Sequence, residues 1–156
     1  MNTKAIVYTS NTGYTAEYAK ILGEKAGLPV YSLDEAEKNV PEKSEIIYLG
    51  WVMAFRIQGY EKAAKLYNIA VLCGVCLGTT GSLIGEIRKA QKVDESMPLF
   101  TLQGGFDMNK LRGVNKFIMK IMKKILTNQI TAKDEQTTPM VWLLLVRRLL
   151  AAVLGE

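Results

Sequence analysis

Short unbroken apolar runs recur at strand length along this chain, with helical stretches between them, and that alternation leaves few folds open. The runs are Lys4–Thr9 (KAIVYT), Pro29–Leu33 (PVYSL), Glu45–Leu49 (EIIYL), Ile69–Val75 (IAVLCGV) and Pro98–Gln103 (PLFTLQ). Continuous apolar runs, as opposed to a clean apolar–polar alternation, suit strands covered on both faces. Between the first two, Thr15–Ala26 places Tyr18, Ala19, Leu22 and Ala26 at helical spacing, and Gly27 stands where a C-terminal cap belongs. Helices are also expected around Gly59–Tyr67 and Ser82–Gln91. Strand–helix alternation of this kind builds an α/β fold, a parallel sheet with helices on both faces. With 156 residues and no repeat, low-complexity tract or linker, the chain is expected to form a single domain, 1–156.

Past the fifth run the pattern changes. Over Asn109–Leu126, Leu111, Val114, Ile118, Ile121, Met122 and Ile125 share one face of a helical wheel, and Lys110, Arg112, Lys116, Lys120, Lys123 and Lys124 share the other. A last helix is expected to start at Thr138-Pro139, a cap followed by proline at the first helical position, and to stop at Gly155. It is apolar almost all round, broken only by Arg147-Arg148. It is expected first as the last covering helix of the sheet, docked through Leu143, Val146 and Leu150; its apolar circumference exceeds one face, which leaves dimerisation or membrane association as alternatives and the oligomeric state open.

The formal charge of +5 lies wholly in the second half of the chain. Residues 1–78 carry eight Lys and Arg against eight Asp and Glu, whereas residues 79–156 carry twelve against seven. Six of those positive charges, and no negative one, fall within residues 110–124. The excess therefore belongs to one helix face and is not the general basic surface of a nucleic-acid binder, so no nucleic-acid partner is expected.

Composition removes whole classes of chemistry. The chain has no histidine, which excludes a Ser-His-Asp triad, a His-ligated zinc site and imidazole acid/base catalysis. No metal-ligand set is read from it. Its two cysteines form Cys73-Gly74-Val75-Cys76, a spacing that can mark a redox dithiol. A redox pair normally opens a helix, where the dipole lowers the thiol pKa; this one straddles the end of the fourth strand and reads as structural. No run reaches the 18 or so apolar residues of a membrane span. The start, MNTKAIVYTS, lacks a signal-peptide pattern, so a cytoplasmic location is expected.

Directly after the first strand comes Thr9-Ser10-Asn11-Thr12-Gly13-Tyr14-Thr15, and directly after that a helix. Such a loop turns several backbone N–H groups toward one point, the helix N-terminus adds partial positive charge, and the hydroxyls add donors: together these suit a phosphate dianion. The loop holds no lysine, and neither the Walker-A spacing nor the glycine-rich dinucleotide pattern is present, which argues against a nucleoside triphosphate or a nicotinamide dinucleotide. The same residues also suit an ordinary helix N-cap.

The string Ser10-Asn11-Thr12-Gly13-Tyr14-Thr15 resembles the flavodoxin phosphate loop, Ser/Thr-x-Thr-Gly-x-Thr, at the expected place near the N-terminus. The resemblance implies a doubly wound five-stranded parallel sheet in the order 2-1-3-4-5, with FMN at the point where the winding reverses. It implies that the loops after the third and fourth strands, Gly50–Tyr60 and Gly74–Thr80, hold the flavin ring. The cofactor-binding residues expected there are Trp51, Val52, Met53, Ala54 and Phe55, then Gly74, Val75, Cys76 and Leu77. Trp51, Phe55 and Tyr60 offer flat apolar surface, and also suit anchoring of the loop in the core.

Further along, Gly105–Leu111 and Phe117–Lys123 are similar to the region after the last strand of the flavodoxin-like, menaquinone-dependent protoporphyrinogen oxidases. The wider resemblance covers about residues 3–126. It implies electron transfer by bound FMN, with either a redox partner protein or a quinone as partner. A basic amphipathic helix over Lys110–Lys124 suits an anionic bilayer surface or the propionates of a porphyrinogen. Flavodoxins are acidic, so the basic charge here departs from the shuttle pattern. The chemistry would be the flavin's, and no catalytic side chain is singled out.

Overall fold

The computed structural model describes residues 2–104. The expected helices over 109–126 and 138–154, and the stretches resembling the oxidases, lie outside the described residues. Within them the elements run β1 (Ala5–Thr9), α1 (Tyr14–Ala26), β2 (Val30–Ser32), α2 (Leu33–Asn39), β3 (Glu45–Met53), β4 (Arg56–Ile57), α3 (Tyr60–Leu66), β5 (Asn68–Cys76), α4 (Ile84–Gln91) and β6 (Leu99–Gln103).

Five strands are parallel, in the order β2-β1-β3-β5-β6, and the short β4 pairs antiparallel with β3. Apart from β4, this is the strand order expected from the sequence. The chain steps from β1 outward to β2, then returns to the other side of β1 with β3, so the winding reverses between β1 and β3.

Alternation along each strand feeds two cores. Ala5, Val7, Ile46, Tyr48 and Leu72 point to one side, where Leu33 and Ala36 of α2, Ala63 of α3 and Ile87 of α4 pack on them. Ile6, Ile47, Leu49, Val71 and Cys73 point to the other, where Ala19 and Leu22 of α1 pack. Helices on both faces explain why the strands read as unbroken apolar runs.

The local signals are equally specific. Gly27 closes α1 in the left-handed conformation, its N–H donating to the Gly23 carbonyl. Helix α2, which the apolar pattern did not announce, starts from a capping box: the Ser32 hydroxyl accepts from Glu35 N at 3.3 Å, and the Glu35 carboxylate accepts from Ser32 N at 2.9 Å. The third strand is longer than expected. It runs on through Gly50–Met53 because Trp51 pairs with Val75 of β5 and Val52 with Ile57 of β4, so residues 50–57 form a strand and hairpin, and Tyr60 already opens α3, in place of a loop over 50–60. Among the described residues, no helix is long and apolar enough to cross a membrane.

Candidate functional site

The strands β1, β3 and β5 lie side by side and parallel, so the segments following all three emerge at one edge of the sheet. That carboxyl edge, at the winding reversal, is where ligands of open α/β sheets bind. Three large apolar side chains stand exposed among the described residues: Tyr14 after β1, Phe55 after β3 and Leu77 after β5. All three belong to this edge, and a large apolar side chain in water needs a reason when it recurs in one place.

The loop after β1 turns at Gly13, whose φ of +102° lies in the left-handed region and around which a Cβ would find nothing within 4 Å. The backbone there is open to an incoming ligand. Helix α1 begins without a side-chain cap, so the amide groups of its first turn face outward. Ser10 Oγ accepts from Gly13 N at 3.1 Å, which holds the loop closed and leaves the Ser10 hydroxyl hydrogen to donate elsewhere. Asn11 and Tyr14 are exposed, Ser10 and Thr12 half-buried, and Thr15 is buried at 2% exposure inside the first turn.

Thr9 ends β1 beneath this loop. Its hydroxyl is hydrogen-bonded with Tyr48 Oη and lies 2.8 Å from the Gln58 carbonyl, to which Tyr48 Oη also donates at 2.9 Å. Tyr48 is fully buried, and burial pushes its phenol up to about 12 against the opposing effect of the Thr9 hydrogen bond, so it remains a donor at any ordinary pH. Gly59 follows with φ +78°, and a Cβ there would collide with both hydroxyl oxygens. The start of α3 is thereby fastened to the end of β1.

The hairpin after β3 turns at Ala54 (φ 50°) and Phe55 (φ 59°). A two-residue turn with both central residues at positive φ favours Asn-Gly, so Ala-Phe is strained here. The hairpin is held by Gln91 of α4, whose amide oxygen accepts from Ile57 N at 2.7 Å and whose amide nitrogen donates to Ile57 O at 3.1 Å. Arg56 pairs with Glu61 at 2.5 Å. Trp51, Val52 and Met53 are half-buried in the strand, and Ala54 and Phe55 form the exposed tip.

Gly74, Val75 and Cys76 lie within β5 and are buried, so of the fourth-strand group only Leu77 is exposed at the edge. Cys73 and Cys76 are free thiols, both buried. Burial raises both pKa values, for Cys76 against hydrogen bonds from Gly78 and Ser82. Three positions along a strand separate their Cα atoms by about 10 Å, beyond the roughly 7 Å limit of a disulfide.

A cleft of about 460 Å³ opens beside the loop, lined among others by Ser10, Asn11, Gly13, Ser32, Asp34 and Lys62. Of the loop after β1 it takes in Thr9, Ser10, Asn11 and Gly13 but not Thr12, Tyr14 or Thr15, and neither Trp51–Phe55 nor Gly74–Leu77 lines it. Lys62 is the cation in the lining, but two carboxylates already neutralise it. It pairs with Glu37 and, at 3.7 Å, with Asp34, and the Glu37 hydrogen bond raises its pKa.

Tyr48, Gln58, Lys62 and Gln91 were not singled out in the sequence. The one available signal was Tyr48, a side chain with a polar tip in the middle of an apolar run, which when buried needs a partner. No protein-family model matches the chain, nor does any curated protein or solved structure.

Proposed function

We propose that this chain is a flavodoxin-like protein that binds FMN non-covalently at the carboxyl edge of its sheet and works in electron transfer. The observation that carries the proposal is the convergence at one edge of an open, uncapped phosphate-type loop with the three exposed apolar side chains Tyr14, Phe55 and Leu77. A phosphate suits the first and a flat apolar ring suits the second.

The residues fit that group. Ser10, Asn11, Thr12 and the amides of the first turn of α1 would hold the phosphate, with Gly13 allowing close approach. Phe55 and Leu77 would flank the ring, and the strained hairpin tip places Phe55 in water, ready to be covered. FMN supplies the redox chemistry when bound; the protein binds it, orients it and shields one face from water. Titration of the purified protein with FMN, followed by quenching of flavin fluorescence, tests the reading. A protein that quenches none of it at micromolar concentrations would sink it.

The basic stretch 110–124 favours a second reading, an oxidase that takes electrons from a porphyrinogen and passes them to a quinone. An anaerobic assay with protoporphyrinogen and menaquinone separates the two. Porphyrin fluorescence rising no faster than in a flavin-free control leaves the electron carrier.

A further inference from the structure

Three oxygen atoms meet beneath the loop: Thr9 Oγ1, Tyr48 Oη and the Gln58 carbonyl. All three pairs stand within hydrogen-bond distance, yet the two hydroxyls bring only two hydrogens. A carbonyl needs one donor to be satisfied and has lone pairs for two. If Tyr48 donates to Gln58 O, the Thr9 hydrogen is surplus to the needs of the junction. Tyr48 is fully buried and confined to this junction, whereas Thr9 also lines the cleft beside Ser10 and Gly13. One hydroxyl is therefore fixed and the other can be redirected.

We propose that Thr9 is a specificity-determining donor of this site: its hydroxyl turns from the Gln58 carbonyl to a phosphate oxygen of the ligand, while Tyr48 keeps that carbonyl satisfied. The ligand class it selects is a phosphate monoester over the corresponding alcohol. This deepens the phosphate end of the proposed FMN site and rests on that reading. Tyr48 acts as a positioning residue, because its own hydrogen frees the Thr9 hydrogen. A phenylalanine at position 48 would leave Gln58 O with Thr9 as its hydroxyl donor, so that redirecting Thr9 to a ligand would orphan a carbonyl.

The test is a titration with inorganic phosphate, followed by the amide chemical shifts of Asn11–Thr15, on the wild type and on Thr9→Val, Thr9→Ser, Tyr48→Phe and the Thr9→Val/Tyr48→Phe double variant. Thr9→Val is expected to weaken phosphate binding roughly tenfold, about 1.4 kcal/mol. Thr9→Ser, which keeps the hydroxyl, should restore it, and Tyr48→Phe should weaken it severalfold. The double variant should bind no more weakly than Thr9→Val alone, because Tyr48 acts through Thr9. A purely structural role would make the losses add, and Thr9→Ser would not stand apart; that pattern overturns the proposal. So does a wild type whose loop amides ignore phosphate. Parallel titrations with FMN and riboflavin separate the two claims. Phosphate binding without FMN binding refutes the flavin reading alone, and FMN binding indifferent to Thr9→Val refutes this one alone.

Discussion

The hairpin tip at Ala54-Phe55 invites a substitution that should improve stability while impairing binding. Both residues sit at positive φ, 50° and 59°, in a turn whose backbone favours Asn-Gly. The left-handed conformation costs an ordinary L-residue about 1–2 kcal/mol. Ala54→Asn/Phe55→Gly should therefore relieve about 2.5 kcal/mol across the pair. Against this stand about 1 kcal/mol of lost apolar burial, since Phe55 is 47% exposed, and about 0.7 kcal/mol for the greater freedom of glycine in the unfolded chain. The net gain is about 1 kcal/mol, a rise of about 3 °C in Tm for a chain of this size. Phe55→Ala also removes the ring but keeps the strain, and should lose about 1 kcal/mol. The gap of about 2 kcal/mol between two variants that both lack the ring measures the strain less the cost of glycine's freedom in the unfolded chain. Urea unfolding of the ligand-free proteins reads it, and flavin titration reads the rest. Both variants should bind FMN severalfold more weakly, from the loss of an aromatic contact of about 0.5–1.5 kcal/mol. Equal stability for the two variants would refute the strain, and unchanged FMN affinity would refute the placement of Phe55 against the ring.

Other outcomes follow from the same geometry. Gln91→Ala should destabilise by about 2–3 kcal/mol, because it leaves the N–H and C=O of buried Ile57 without the Gln91 amide. Faster amide exchange in residues 54–58 would localise the loss to the hairpin. In the capping box of α2, hydrogen bonds from the Ser32 backbone and hydroxyl hold the Glu35 carboxyl below the usual range. A depressed folded pKa stabilises above the ordinary glutamate range and is lost as pH falls through the folded value. The stability gap between the wild type and Glu35→Gln should therefore narrow on acidification, and a gap constant from pH 7 to 3 would exclude the carboxylate as its source. Cys73 and Cys76 should both resist a thiol reagent in the folded protein at pH 8 and both react after denaturation; rapid labelling of either in the native state would contradict their burial.

The sheet was legible in the sequence because burial on both faces leaves a direct mark, a run of apolar residues. Helix α1 was legible from its spacing and from Gly27. Helix α2 was missed because it is seven residues long and shows little apolar face, although Ser32 and Glu35 spell a capping box at the right spacing. The β3–β4 hairpin was missed for a different reason. Its turn residues, Ala54 and Phe55, are the wrong ones for the turn they make, so no turn signal exists to read. The turn from β1 into α1 was legible because its glycine, Gly13, takes the left-handed φ that the turn requires. The junction of Thr9, Tyr48 and Gln58 was not, since it joins positions up to 49 residues apart that carry no shared pattern. Long-range pairing of this kind is settled by strand register, which a single sequence does not display.

That separation bears on how the protein comes together. Thr9 pairs with Gly50 across the sheet and bonds to Gln58, so the end of β1 cannot be fixed until β3 has docked and the hairpin has turned back. Closing a loop of that size precedes any reward from the contacts it allows, and such pairings form slowly. A nascent chain that has made β1, α1 and β2 holds every residue of the phosphate-type loop and none of the partners that anchor Thr9. The end of β1 beneath that loop should thus be fixed in a late and abrupt event in folding, when the fourth element of the sheet, β4, swings onto β3 and carries the Gln58 carbonyl under it.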